Sequence, residues 1–372
     1  MGSSCHSLDR VAVTFDDDHS VANAGLIAPA TLAQHLGLRA LFDAYVDLGD
    51  TPGRANVGLK AMTLVHSALA GGDCIDDADR MRVASTPAVL GHAVRAPSTL
   101  GVFLRSFTWG HVAQLDRVAA EALRRAWAAG AGPGDGPVTV DVDSTICETY
   151  GLQKQGARFG YTKVRGLHPL LATLAETGEV LAARLRGGNV HTARGAAGFL
   201  TQCFNRLRDA GTTGPVTLRA DAGFYNRNVV DACTKAGVAW SITVKLSKAM
   251  HKAIAAIGEE DWAPIPYWCE GGADVAETTY RPFGRRQQVR LIVRRTKPTP
   301  GSQLALLATY DYHCFITNRT GGTLELEADH RRHAVVEDVI RELKYGVGLN
   351  HLPSGRFAAN AAWVRHEGAR DE

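Results

Sequence analysis

The chain has 372 residues, a mass of 39.8 kDa and a formal net charge of +3, and 45% of its residues are hydrophobic. This is the composition of a globular protein, which excludes a disordered or fibrous chain, and the length predicts two or three domains. No apolar run reaches the roughly 18 residues of a membrane span, and the seven cysteines never form a C-x2-C pair. Scattered cysteines argue against a zinc site and a disulfide framework, so we expect a cytoplasmic protein.

The charge is unevenly distributed along the chain. Residues 151–210 contain nine basic and three acidic side chains, and residues 281–300 contain seven basic and no acidic ones. Either block alone is compatible with a solvated face. Together, in a chain of low net charge, they favour a surface that binds a polyanion such as nucleic acid.

The N-terminal residues 1–130 are predicted to be mainly helical. Residues 26–49 form a helical pair interrupted at Gly37, which is either two packed helices or a helix-turn-helix module that contacts DNA. Residues 109–130 predict a longer amphipathic helix that ends at a glycine. The Gly- and Pro-rich residues 131–137 then predict a boundary.

After this boundary the hydrophobic pattern becomes that of alternating strands and helices. Strands are predicted at 138–146, within 166–189 (two strands about the turn Thr177–Gly178), at 216–223 and at 240–246, and helices at 192–211 and 226–237. The order β-β-β-α-β-α-β predicts a mixed α/β sheet that begins with a hairpin.

The C-terminal third is predicted to contain a β-rich segment followed by a helix. Residues 251–327 are aromatic, punctuated by proline and strand-like, whereas residues 328–346 return to helical periodicity. We therefore divide the chain into four regions. Residues 1–130 are a helical N-terminal region with candidate DNA-end binding, and residues 138–250 are the first part of an α/β core. Residues 251–327 are a β-rich insertion, and residues 328–372 are a helix with a C-terminal tail.

Three carboxylates are candidates for one site. Asp143 and Asp221 each follow a predicted strand, and in α/β proteins such strand ends face the ligand crevice, although Asp also caps strand–helix junctions. Glu337 lies on the later helix, seven residues before Lys344 and therefore on the same helical face. Glu342 is the alternative acid on that helix, but it lacks this lysine spacing.

Three converging carboxylates predict a metal site. At about 4 Å two unit charges repel by roughly 4 kcal/mol at an effective dielectric of 20, and a divalent cation removes that cost. Mg²⁺ prefers oxygen ligands of this kind, and two such ions would stabilise the attacking and leaving oxygens of a phosphodiester. With the basic blocks, this predicts metal-dependent phosphoryl transfer on DNA.

A second enzyme class starts from Asp141. The segment VTVDVDST is a hydrophobic strand followed by D-x-D-x-T, the pattern of haloacid-dehalogenase-type phosphatases, in which Asp141 would be the covalent nucleophile. That interpretation requires a later acidic pair, which RADAGFYN does not provide, and a purely parallel sheet.

Several segments together resemble the DDE transposases of bacterial insertion sequences. They are ANAGLIAPATLAQHLGL, DVDSTICETYG, RADAGFYN and ELEADHRRHAVVEDVIRELKYG, and the resemblance covers nearly the whole chain. Within these transposases, the chain resembles the cut-and-paste branch, which has a β-rich insertion before the catalytic glutamate. The resemblance implies an RNase H-like core, the catalytic residues Asp143, Asp221 and Glu337, and two Mg²⁺ ions, for which Mn²⁺ substitutes.

The resemblance also implies the partners. These are double-stranded DNA, at terminal inverted repeats and at the target, and a second copy of the chain on that DNA, with no membrane and no small-molecule cofactor. The expected location is the bacterial cytoplasm, at the nucleoid when DNA is bound. Some related enzymes pass through a DNA hairpin.

Residues for DNA contact are implied in the same way. Lys344 matches the lysine of an E-x6-K helix. Relatives often have Tyr and Arg at the positions of His330 and His333. Arg331 or Arg332 is therefore a candidate to make the DNA contact in their place. The other candidates for DNA contact are four basic residues of the insertion, Arg285, Arg286, Arg294 and Arg295. Trp262 and Trp268 are candidates for base stacking, although a tryptophan in a β-rich segment more often packs in the core.

The C-terminus departs from the family pattern. After residues 357–363 the chain ends in VRHEGARDE, whereas relatives usually continue with an apolar helix that packs on the core. A third hypothesis is therefore a shortened remnant that binds DNA without cutting it.

Overall fold

A computed structural model describes residues 21–51, 53–160, 162–266, 272–284, 287–297 and 310–368, with side chains to residue 365. Three predicted site residues, Arg285, Arg286 and Trp268, lie outside these ranges.

The N-terminal region is helical, as predicted. Gly37 adopts a left-handed conformation (φ 68°) between the first two helices, which a residue with a side chain adopts only under strain. In the described part of this region the α-helices are α1 (Ile27–Leu36), α2 (Leu38–Tyr45), α3 (Val57–Leu69), α4 (Thr86–Leu90), α5 (Pro97–Arg105) and α6 (Trp109–Ala126).

The rest of the chain is built on a large mixed sheet. Its strands and those of a small three-stranded sheet are β1 (Val138–Ser144), β2 (Cys147–Glu148), β3 (Arg158–Phe159), β4 (Arg165–Leu167), β5 (Leu170–Leu174), β6 (Val180–Arg184), β7 (Val216–Ala220), β8 (Ala239–Val244), β9 (Ala263–Pro264), β10 (Ala273–Tyr280), β11 (Val289–Thr296) and β12 (Asp311–Thr317). The remaining helices are α7 (Ala196–Asp209), α8 (Arg227–Ala236), α9 (Lys248–Ala255), α10 (Thr323–Arg331), α11 (Val335–Tyr345) and α12 (Phe357–Gly368).

The order of the nine-stranded sheet is β6-β5-β1-β7-β8-β12-β11-β10-β9. β1, β7 and β8 are parallel, and β5 and β6 form the predicted hairpin antiparallel to β1. The predicted mixed α/β class is confirmed.

The β-rich segment continues the same sheet. β12 pairs antiparallel with β8, with Cys314 opposite Val244, so the strands contributed by residues 263–317 extend the core sheet at its β8 edge. The sequence predicted these strands but gave no sign of which core strand they would join.

Side-chain alternation on β1 separates an apolar from a polar face. Val138, Val140 and Val142 are buried in the cluster that includes α7 and α8. Because successive strand residues point to opposite faces, Asp141 and Asp143 point to the other side. Helices α10 and α11 cover that side.

The helix predicted over 328–346 is interrupted. α10 ends at Arg331, a 3-10 turn spans Arg332–Ala334, and α11 begins at Val335. The predicted helical residues thus form two helices joined by a tighter turn, and the turn lets α10 contact β10 and β11 while α11 contacts β1.

An apolar helix does pack near the C-terminus. Helix α12 buries Ala359, Ala362, Trp363 and Val364 in a cluster shared with α3, α5 and α6. The Trp363 indole donates a hydrogen bond to the Gly348 carbonyl at 3.2 Å. No described helix is long and apolar enough to span a membrane.

Replacing Trp363 tests how far α12 supports the fold. We expect Trp363→Ala to lower the free energy of unfolding by about 3–5 kcal/mol, because it leaves a cavity and an unpaired carbonyl. Trp109→Ala is the matched control, since Trp109 is 61% exposed, and it should cost less than about 1 kcal/mol. Equal losses for the two variants in denaturant titrations would contradict this role of α12.

Candidate active site

A buried ion pair lies at the centre of the polar face. Arg219 on β7 donates from Nε to Asp141 Oδ1 at 2.8 Å and from Nη2 to Oδ2 at 2.6 Å. The residues are opposite each other in the parallel β1–β7 register, and both are nearly inaccessible to solvent. The two-point contact uses both carboxylate oxygens of Asp141.

This pair is connected to the α10–α11 segment. Nη1 of Arg219 donates to the Asp329 backbone carbonyl at 2.7 Å, and Arg319 also pairs with the Asp329 carboxylate. His333, in the turn before α11, has its Nδ1 2.8 Å from Asp141 Oδ1. These contacts tie the segment that precedes Glu337 to the two central strands.

His330 adds a second attachment. Its ring nitrogens lie 2.6 Å from Ser241 Oγ and 2.9 Å from Thr243 Oγ1 on β8, and its ring stacks on Phe315 at 4.1 Å. Burial and nearby positive charges hold the pKa of His330 well below its usual value, so the ring is neutral. His330 is therefore a buried residue that attaches α10 to β8, and it does not face solvent.

Asp143 and Asp221 lie side by side at the ends of β1 and β7. Their preceding residues, Val142 and Ala220, are register partners. The pKa of Asp143 is raised to about 6, mainly by burial and also by the charges of Asp221 and Glu337, while the Ser144 amide and His333 act in the opposite direction. Burial also raises the pKa of Asp221, against the Gly223 amide and His333.

Glu337 completes this set from α11, which packs against β1. Its side chain is exposed, and its charge acts on Asp143. The structure thus brings together all three carboxylates that the sequence selected, with His333 beside them.

The donor set fits divalent cations. Three carboxylates supply hard oxygen ligands, and burial disfavours the ionised forms of Asp143 and Asp221 in the absence of a cation. Their oxygens are not all within 4.8 Å of one another. A wider spacing is compatible with two ions, which lie about 3.5–4 Å apart in two-metal sites.

Another acidic group is more compact but has a structural explanation. In the described residues Asp73, Cys74 and Asp77 place potential ligand atoms within 4.8 Å of one another. There the Asp77 carboxylate accepts hydrogen bonds from the Asp73 and Cys74 amides and caps the 3-10 helix Ile75–Met81.

The predicted DNA-contact residues have different surroundings. Lys344 lines a cleft, and Arg332 is exposed. Arg331 lies 3.8 Å from Glu327, and Arg294 donates to the same carboxylate at 2.7 Å.

Arg295 is buried and bonds Asp274 and Glu259. Its guanidinium covers the Trp262 ring at 4.2 Å. These internal contacts argue against DNA binding by Arg295 and against base stacking by Trp262, for which core packing was the other interpretation.

Residues 4–369 match the family model described as transposase DDE domain, group 1. The chain belongs to this transposase family. A piggyBac transposase synaptic complex with hairpin DNA is a similar solved structure, with 9% sequence identity, a TM-score of 0.48, and coverage of 95% of this chain and 74% of that chain. Similarity at this level supports no functional conclusion. The sequence matches none of the curated proteins.

The phosphatase hypothesis does not fit this transposase. Asp141 would have to attack a phosphate ester, but both of its oxygens bond Arg219 and one also contacts His333. A signal for this structural role was present in the sequence. Asp141 precedes Asp143 by two residues, as Arg219 precedes Asp221, and such neighbours share a strand face.

The buried ion pair predicts a large effect of removing its cation. Arg219→Met should lower the free energy of unfolding by about 3–5 kcal/mol, because Asp141 would remain buried without a partner. Arg227→Met is the control, since Arg227 and Asp231 are an exposed helical pair at 3.8 Å, and it should cost less than about 1 kcal/mol. Denaturant unfolding at neutral pH measures both, and a cost for Arg219→Met within that of the control would refute the anchoring role.

The raised pKa of Asp143 predicts a pH-dependent stability difference. Since the folded protein retains this proton up to about pH 6 and the unfolded chain loses it near the ordinary aspartate pKa of 3.8, metal-free wild type becomes less stable as pH rises through this window. Asp143→Asn lacks this loss, so at neutral pH it should be more stable than wild type by on the order of 1–3 kcal/mol.

Asp338→Asn, an exposed change on α11, should leave the pH profile of stability unaltered. Parallel profiles for wild type and Asp143→Asn would show that the site does not hold Asp143 in this environment.

Proposed function

We propose that this transposase cuts DNA at the terminal inverted repeats of a bacterial insertion sequence and joins the freed ends to target DNA by a cut-and-paste reaction. The observation that carries the proposal is the meeting of Asp143, Asp221 and Glu337 on the polar face of the sheet. We assign to them the binding of two Mg²⁺ ions, for which Mn²⁺ substitutes. Bound ions of this kind polarise a phosphodiester and lower the pKa of water.

The surroundings of the carboxylates supply contacts for the DNA backbone. A cleft of about 400 Å³ beside Asp221 is lined by Gly188, Asn189, Thr192 and Lys245. Lys245 is exposed at the end of β8, and its charge lowers the pKa of Asp221. In the proposed complex Lys245 binds a phosphate next to the carboxylates, since an ammonium group neutralises backbone charge without regard to sequence.

Two cations near α11 extend this surface, of which Arg332 is exposed and Lys344 is half-buried. Arg332 precedes the helix, and Lys344 lies near its end, two turns beyond Glu337. We assign both to contacts with phosphates on either side of the cleaved bond. A second copy of the chain on the DNA would place two such sites at the two element ends.

Cleavage of a labelled duplex that carries the element's own terminal repeat tests the proposal. Wild type with Mg²⁺ or Mn²⁺ should nick at the repeat boundary, and Asp143→Asn, Asp221→Asn and Glu337→Gln should each reduce the rate by about 100-fold or more, because each removes a ligand of the cations that stabilise the transition state. Glu342→Gln is the matched control, since Glu342 is exposed on the same helix, and it should cleave at the wild-type rate.

Specific binding of the repeat without nicking by the folded wild type would instead support the non-catalytic remnant. Loss of cleavage in Glu342→Gln with activity retained in Glu337→Gln would show that the wrong glutamate has been assigned.

A further inference from the structure

A buried histidine lies next to the strand end that carries Asp143. His168, between β4 and β5, is 1% exposed, and its Nε2 lies 2.9 Å from Oγ of Ser144. Ser144 is the last residue of β1 and directly follows Asp143, and its backbone amide donates to Asp143 Oδ1 at 2.6 Å. His168 therefore contacts the residue whose amide holds one carboxylate oxygen of the proposed cation site.

The direction of each hydrogen bond at His168 is fixed by its partners. Nδ1 lies 3.0 Å from the carbonyl oxygen of Val190, and because a carbonyl only accepts, Nδ1 carries the proton. Burial and the nearby charge of Arg186 lower the pKa of His168 to about 4, so at neutral pH the ring is neutral and Nε2 is an acceptor. The Ser144 hydroxyl must therefore donate to Nε2.

The turn that holds the other side of the ring is tightly packed. Val190 donates its amide to the Gly187 carbonyl at 3.1 Å, and Gly187 forms an isolated β-bridge with Leu167. At Gly188 a Cβ atom would collide with the carbonyl oxygen of Gly166, so the two backbones are in direct contact. The Val190 carbonyl is therefore held in place by backbone packing.

Arg186 attaches His168 to the same turn. The His168 amide donates to the Arg186 carbonyl at 3.0 Å, and Nε of Arg186 donates to the His168 carbonyl at 3.1 Å. Nη1 of Arg186 also donates to the Thr192 carbonyl at 2.7 Å. Val190 and Thr192 line the cleft beside Asp221. The contacts of His168 thus connect the end of β1 with the wall of that cleft.

The orientation of the Asp143 carboxylate depends on this connection. Metal ligands are oriented by the hydrogen bonds that they receive from outer partners, and the loss of such a partner weakens metal binding. Asp143 receives one such bond at Oδ1, from the Ser144 amide, and no described residue bonds its Oδ2. The position of that amide follows from the position of Ser144, whose side chain is fixed by His168.

We propose that His168 is a positioning residue of the cation site, and that it acts through the Ser144 hydroxyl on the backbone amide that orients the Asp143 carboxylate. The proposal rests on the assignment of cation binding to Asp143, Asp221 and Glu337. It predicts that a residue which is not itself a ligand changes the affinity for the cation.

Calorimetric titration of Mn²⁺ into the metal-free full chain tests this role. His168→Asn retains a donor at the position of Nδ1 but removes the acceptor, and Ser144→Ala removes only a hydroxyl from a half-buried residue. Each variant should bind Mn²⁺ about 10-fold more weakly, the lower end of the roughly 10–100-fold effect of outer partners of metal ligands. His168→Asn/Ser144→Ala should show the same loss as either single variant, because both changes break one hydrogen bond.

His66→Asn separates positioning from a loss of stability. His66 is also 1% exposed and bonded through its ring, with Nδ1 2.9 Å from Nε2 of His92, but it lies on α3 in the N-terminal region. This variant should lower the denaturant midpoint of unfolding, as His168→Asn does, and should bind Mn²⁺ with wild-type affinity.

Three results would overturn the positioning role and leave the carboxylate site standing. They are wild-type Mn²⁺ affinity in folded Ser144→Ala, losses that add in the double variant, and a loss in His66→Asn as large as that in His168→Asn. No Mn²⁺ binding by wild type would overturn the site and the positioning role together. Wild type that binds Mn²⁺ with the predicted pattern of losses but does not cleave the terminal repeat would refute the proposed function alone.

Discussion

The buried pair of Asp141 and Arg219 is the interaction on which the arrangement of the site depends. Removing two charges from water is costly, and such a pair is favourable only when its remaining hydrogen-bonding capacity is used. Here the two-point contact satisfies Asp141, and the third nitrogen of Arg219 reaches the Asp329 carbonyl. The pair therefore joins β1, β7 and the end of α10, and it determines where the chain enters α11 and where Glu337 lies relative to the strand ends.

The carboxylates themselves work against folding. Asp143 and Asp221 are neighbours at the buried ends of parallel strands, and burial raises the pKa of both. A site selected only for stability would separate such groups or neutralise them. Clusters of carboxylates with shifted pKa values are instead typical of functional sites, where bound cations offset the electrostatic cost of placing the carboxylates together. In this protein the buried ion pair, the stacked His330 and the apolar core beneath β1 supply the stability that the site removes.

Much of this architecture could be predicted from the sequence. The alternation around Asp143 and Asp221 located two strands and their ends, and the helical spacing of Glu337 and Lys344 placed both on one face. The break at Arg332–Ala334 could not be predicted, because the apolar stripe runs through it and the turn is imposed by contacts of Asp329, His330 and His333 with the sheet. Arg295 was a DNA candidate because its segment is basic, but the acids that neutralise it, Asp274 and Glu259, come from other elements. Long-range pairing of this kind leaves no local pattern.

The central claim is that these anchors hold Asp143, Asp221 and Glu337 as one cation site. Calorimetric titration of Mn²⁺ into the metal-free protein tests it most directly, without any need for the DNA substrate. We predict saturable binding by wild type and by Glu342→Gln, and binding weakened at least about 10-fold in Glu337→Gln, since one of three carboxylate ligands is lost. Wild-type affinity in Glu337→Gln, or no binding by wild type, would contradict the claim.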